Sequence, residues 1–292
     1  MSSLRWESRP RLRDPVLVAA FTGWNDAADA ASDALGWLSG RYGGERFASL
    51  DADEYLDFQV VRPTVELTDG VTRSICWPQI RFDAAITDAP GGPDLVLCSG
   101  PEPNLHWRGI CADVLTVVAE TGCRSAVTLG ALLADSPHTR PVRCTGAATV
   151  AADMDRLELS RSHYEGPTGI VGVLHDACRA AGVRSVSMWA PVPHYVAAPP
   201  NPPATRALLE RVAAFSGLEL DLRELGVSAD AWRARIDTAV SGDDDLGAYV
   251  RGLEEQADDV DEARDLADEE GLATGDAIAE AFEEYLRDQG RD

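Results

Sequence analysis

Six consecutive apolar residues, Val16–Phe21 (VLVAAF), constrain this chain more than any other feature. A short, uniformly apolar run does not alternate, so both of its faces need cover, which is the pattern of a central parallel strand. It leads into Gly23-Trp24-Asn25-Asp26. An alanine-rich segment follows, in which Ala27, Ala31, Ala34, Leu35 and Leu38 recur at helical spacing, with Asp29 and Asp33 off that stripe, up to Gly43-Gly44. The unit recurs down the chain. Asp94–Cys98 is a buried strand before a helix over 105–120, with Ile110, Val114, Leu115 and Val118 on one side. Ala126–Leu129 is a strand ending at Gly130. A helix over 170–181, approached through glycines, precedes the strand Val186–Trp189. Pro202 or Pro203 opens a helix to Phe215 that Gly217 ends.

Between the first helix and Asp94 the pattern changes. Residues 45–87 read as a β-rich insertion: Phe58–Val61 and Val65–Thr68 are strand-like, Asp69-Gly70 is a hairpin signal leading into 71–77, and Ile80–Ile86 adds a strand. Past Gly226 only helical periodicity remains. Leu246, Tyr249, Val250 and Leu253 form one stripe. Ile278, Phe282, Tyr285 and Leu286 form another, started by Thr274 or Asp276. The expected architecture is an α/β fold, a three-layer α/β/α sandwich with a mixed sheet over 1–226, plus an acidic helical extension over 227–292.

Charge and composition narrow the function. The net charge is −23, and 227–292 holds 21 acids against 6 arginines. Such a surface repels a phosphate backbone, so nucleic acid is not expected as a partner. No apolar run approaches the ~20 residues of a membrane span, and the N-terminus has no apolar core of a signal peptide, so a cytoplasmic protein without a membrane partner is expected. Every one of the 26 basic residues is arginine, which excludes Schiff-base, P-loop and kinase-type lysines. The six cysteines have no CxxC spacing and read as buried free thiols. The five histidines lack metal-ligand spacing, and His175, inside a helix, reads as structural. GxSxG, HExxH and GxGxxG are absent, so neither a metal, a cofactor nor a catalytic residue is expected, and interaction is favoured over catalysis.

The candidate site lies in the loops that follow strands, because ligands gather at strand C-terminal ends in open α/β sheets. Four such loops carry polar groups: Trp24-Asn25-Asp26; GPEPNLHWRG, with Glu102, His106, Trp107 and Arg108; LGALLADSPHTRPVRC, with His138 and Arg140; and PVPHYV, with His194 and Tyr195. In a parallel sheet they converge on one edge. Each has a plain alternative. Glu102 and Arg108 pin their loop as an ion pair, or they bind a ligand. GPTGIVG, with Gly166 and Gly169, cradles an anion at a helix start, or it permits close helix packing. Asp26 caps the helix after it, and a carboxylate there disfavours a phosphate, so Arg108, Arg140 or a neutral ligand group is the expected partner.

Five segments in this order, GWNDAADA, GPEPNLHWRG, LGALLADSPHTRP, GPTGIVGVL and PHYVAAPPNPPATRALL, resemble the proteasome assembly chaperone 2 family in its actinobacterial branch. The acidic TGDAIAEAFEEYLRDQ ending is similar to that branch as well. The resemblance implies a core like the nucleoside phosphorylase/hydrolase fold, a C-terminal helical appendage, and self-association with a trimer favoured. It implies proteasome subunits as partners and supplies no catalytic residues. Eukaryotic and archaeal members dock through a hydrophobic-Tyr-X tail, whereas this sequence reads DQGRD there. The expected role is a non-enzymatic assembly factor. The alternatives are a nucleoside-like small-molecule binder or hydrolase using the strand-end edge, and a purely oligomeric scaffold.

Overall fold

A computed structural model describes residues 3–70, 72–88, 90–161 and 164–269. The elements in chain order are β1 (Leu4–Trp6), β2 (Val16–Thr22), α1 (Ala30–Tyr42), β3 (Glu45–Leu50), α2 (Ala52–Tyr55), β4 (Thr64–Thr68), β5 (Thr72–Cys76), β6 (Ile80–Ala85), β7 (Leu95–Pro101), α3 (Trp107–Thr121), β8 (Ser125–Ala134), β9 (Thr145–Ala148), α4 (Ala151–Arg156), β10 (Ser160–Arg161), α5 (Ile170–Ala180), β11 (Arg184–Pro193), α6 (Pro202–Ser216), α7 (Arg223–Ser241) and α8 (Asp244–Glu269).

The apolar run Val16–Phe21 lies in a central strand. The main sheet is ordered β1-β3-β6-β7-β2-β8-β11-β9-β10, and β7, β2, β8 and β11 are its parallel centre. β6, β3, β1 and β9 run antiparallel to a neighbour, so the sheet is mixed. Alternate residues of β2 serve opposite layers. Val16, Val18 and Ala20 pack with Ala31, Leu35 and Leu38 of α1 and Leu208 and Val212 of α6. Leu17, Ala19 and Phe21 pack with Ile110 and Val114 of α3 and Ile170 and Leu174 of α5. The result is a three-layer α/β/α sandwich. Each fully buried Leu, Ile or Phe contributes about 1.5–3 kcal/mol, which is why every residue of the strand up to Phe21 is apolar.

Helix ends follow their sequence signals. Gly43 is left-handed after α1, and Gly44 N–H bonds Ser39 C=O at 2.9 Å. Asn201 caps α6 by accepting from Ala204 N–H at 3.0 Å, with prolines in its first turn and left-handed Gly217 after it.

Three expectations are corrected. Phe58–Val61 is a turn, because Asp57 gathers its amides: the carboxylate takes Gln59 N–H and the carbonyl takes those of Val60 and Val61. β8 does not stop at Gly130, nor β11 at Trp189. The two pair over ten residues, and Gly130 lies under Trp189, whose ring would be 2.6 Å from any Cβ there. β9, for which the sequence analysis names no element, adds antiparallel to β11. The second helical stripe, Ile278 to Leu286, lies outside the described residues. The expected boundary between 226 and 227 falls in the first turns of α7.

Candidate functional site

Because β7, β2, β8 and β11 are parallel neighbours, their exit loops share one edge of the sheet. The candidate residues there separate into four environments.

The first is a buried joint. Asn25 is fully buried, and its carbonyl accepts Ala131 N–H at 2.8 Å, extending β2 onto β8. Asp26 Oδ1 accepts the amides of Ala31 (2.8 Å) and Ser32 (3.2 Å), the first turn of α1. Burial raises the Asp26 carboxyl above the usual range, and those hydrogen bonds pull the other way. Glu102 Oε1 accepts Ile170 N–H at 3.0 Å at the start of α5. Gly169 is required by close approach, since a Cβ would lie 1.8 Å from Asn25 Oδ1 and 2.9 Å from Glu102 Oε1. Close packing therefore accounts for Gly169, and the chain's own carboxylate already occupies the start of α5. Glu102 turns to α5 rather than to Arg108, and Asp26 turns to backbone amides rather than to an arginine.

The second environment is on the far side of β7. His106 precedes α3 with left-handed backbone (φ 51°), and its Nδ1 lies 2.9 Å from the Glu54 carbonyl oxygen. Trp107 Nε1–H donates to Pro103 C=O, and Arg108 is exposed on the first turn of α3.

The third gathers His138, Arg140, His194 and Tyr195 under the C-terminal helices. The buried His138 ring places Nδ1 2.7 Å from the Tyr195 hydroxyl and Nε2 3.0 Å from Asp237 of α7. Arg140 holds Asp258 of α8 with two 2.7 Å bonds and reaches Glu254. His194 meets Asp135 at 3.1 Å and stacks edge-on against Tyr249 of α8. These strand-end groups are spent on seating α7 and α8.

The fourth is an open cleft of about 830 Å³. Trp24, 68% exposed, stands at its rim with Leu132, Leu133 and Tyr164, and Trp189 and His175 lie deeper. Gly166 lies beside Tyr164, whose hydroxyl donates to Pro167 C=O at 3.0 Å. Burial lowers the His175 pKa, and its Nδ1 faces the Ser185 hydroxyl at 3.2 Å. Of the residues expected on the edge, only Trp24 lines this cleft. The sequence reading missed Leu132, Leu133, Tyr164 and Trp189. The signal it passed over was LGALLA running apolar past Gly130, further than a strand ending there needs.

No three His, Cys, Asp or Glu gather as a metal site among the described residues. Cys98, Cys111, Cys123, Cys144 and Cys178 are buried thiols; burial pushes Cys111, Cys123 and Cys144 up to about 11 and Cys178 to about 12. Such thiols are poor nucleophiles at neutral pH. No helix among the described residues is long and apolar enough to cross a membrane.

No curated protein matches the chain. Solved structures do. A proteasome-assembly chaperone homologue from Mycobacterium tuberculosis is 45% identical over 80% of this chain and 99% of its own, with a TM-score of 0.74. A PAC2 family protein from Streptomyces avermitilis is 47% identical over 81% of this chain and 100% of its own, also at 0.74. An archaeal proteasome activator from Pyrococcus furiosus, 18% identical over 82% of this chain and 99% of its own, shares the fold at 0.63. The sequence profile of the PAC2 family matches residues 20–240, most of the chain. The five motifs, the three-layer fold and these matches agree: the chain belongs to the PAC2 family.

Proposed function

We propose that this protein is a non-enzymatic assembly factor that self-associates, as a trimer, and acts on proteasome subunits in the cytoplasm. The observation that carries the reading is the cleft beside Trp24. On a molecule of net charge −23, its lining holds no acid and no arginine among the described residues, and its rim exposes Trp24, Leu132, Leu133 and Tyr164. Contiguous apolar surface of that kind marks contact with another macromolecule. The Mycobacterium tuberculosis relative, named as a proteasome-assembly chaperone homologue, supports the partner. Buried free thiols suit a reducing compartment, and the charge argues against nucleic acid. In this reading the core, 1–226, carries the contacts, and the acidic extension, 227–292, is a second unit whose helices α7 and α8 meet the strand-end edge of the core through Asp237, Tyr249 and Asp258. The test is sedimentation of the purified protein alone and with purified proteasome α-subunits. An oligomer that co-sediments with α-subunits is expected. If the α-subunits sediment alone and their ring assembly is unchanged, the chaperone reading is lost.

A second reading, a small-molecule binder, is favoured by one observation. A cleft of about 830 Å³ with Thr168, His175 and Ser187 among its aromatic walls has the size and lining of a ligand site. A thermal-shift screen with nucleosides, nucleotides and sugars tests it. A ligand at 100 times its Kd stabilises by about 2.7 kcal/mol, and Trp24→Ala should diminish the effect. A flat screen removes this reading.

A further inference from the structure

The β4–β5 hairpin is the element the three layers leave over. It pairs only with itself, apart from the main sheet. Val65 stands opposite Ile75 and Leu67 opposite Arg73, so strand alternation puts these four on one face and Glu66 and Ser74 on the other. On that first face Val65, Leu67 and Ile75 are 54%, 64% and 52% exposed. An isolated two-stranded ribbon is marginal in water, and an uncovered apolar face on one calls for a partner surface. The stem is anchored, with Phe58 packed edge-on against Trp77 at 4.9 Å, so the ribbon projects from a fixed base.

The hairpin leaves the core between α2 and β6, at the β1–β3 end of the sheet. The Trp24 cleft lies between α5 and the strands β8, β11 and β9, towards the opposite end. One surface is a ridge about 17 Å long, and the other is a concavity. A ridge and a hollow at opposite ends of one subunit match head-to-tail association, which closes into a ring when the rotation allows. Charge points the same way. Copies of a chain at −23 repel one another, yet the hairpin face formed by Val65, Leu67, Arg73 and Ile75 carries one charge, the cation Arg73, and the cleft lining carries no acid among the described residues.

We propose that the Val65–Leu67–Ile75 face of the hairpin seats in the Trp24–Leu133 cleft of a second copy of this chain. The inference rests on the self-association in the proposed function and specifies its two surfaces. Two full-length variants test it by sedimentation velocity, with circular dichroism confirming that each is folded. One carries Leu67→Asp and Ile75→Asp, which spoil the ridge. The other carries Leu133→Asp, which spoils the hollow. Each alone should be monomeric, with association weakened about a hundredfold or more. Mixed one to one, they should form a dimer and nothing larger, because one intact ridge meets one intact hollow and the second junction is defective on both sides. A ridge variant that stays oligomeric like wild type overturns this inference and leaves self-association standing. A mixture that stays monomeric overturns the head-to-tail arrangement. A monomeric wild type overturns self-association itself.

Discussion

Gly169 shows how much one residue decides at the end of β2. Its missing Cβ lets Asn25 and Glu102 reach the start of α5, where the Glu102 carboxylate meets Ile170 N–H. The backbone there is extended (φ −95°), so an alanine meets no conformational penalty; the obstacle is steric. Gly169→Ala should therefore cost about 1–3 kcal/mol, the range for overpacking a fixed site, read as a lower urea midpoint with an unchanged m-value. A midpoint like wild type would mean that the joint can open without loss. Asp26 was legible as a cap because a carboxylate just before an alanine-rich helix has few other uses. The tasks of Asn25 and Glu102 were not legible, because their partners, Ala131 and Ile170, are remote in sequence.

Elements on the β9 side are tied by one buried carboxylate. Asp153 of α4 takes two bonds from Arg184 at the start of β11, at 2.6 and 2.9 Å, and one from Arg156 at 2.9 Å. The Arg184 bonds hold its carboxyl below the usual range, against the opposing effect of burial, with Arg156 adding to the lowering. A carboxylate with a depressed folded pKa stabilises above its unfolded value and loses that contribution as pH falls through the folded one. Asp153→Asn should cost about 1.5–3 kcal/mol at pH 7, and the gap between the two unfolding midpoints should close as pH falls below about 4. A gap that is constant with pH would assign the loss to packing instead of charge. At the same scale, the helices α1, α3, α5 and α6 were readable from their spacing and end residues. The ten-residue pairing of β8 with β11 was not, because a strand's length is set by its neighbour. Nor was the docking of α7 and α8: Asp237 and Asp258 look like solvated acids in sequence, and they become partners of His138 and Arg140 only in the fold.

The whole molecule sets exposed apolar surface against a large negative charge. The proposed self-association through the hairpin and the cleft has to overcome the repulsion of the remaining charge, which salt screens over a Debye length of about 30 Å at 0.01 M and about 8 Å at 0.15 M. Association should therefore strengthen as salt rises over that range, as followed by sedimentation equilibrium. Weakening with salt would mean that ion pairs, not the hairpin and cleft, hold the copies together. The three-layer arrangement was visible in the alternation of apolar runs and helices, and the family in five ordered motifs.

What the sequence determined by itself is local: which segments are strands covered on both faces, where helices start and stop, and which chemistries lack their residues. These follow from side-chain period and backbone restriction over a few neighbouring positions. The tertiary structure alone decided which strand-end groups meet. His106 and Arg108 went to one side of the edge, His138, Arg140, His194 and Tyr195 beneath α7 and α8, and Trp24 to an open cleft. The physical reason is that contacts between remote residues depend on strand order and helix docking. A hairpin's exposed face likewise becomes visible only once every other layer has been placed.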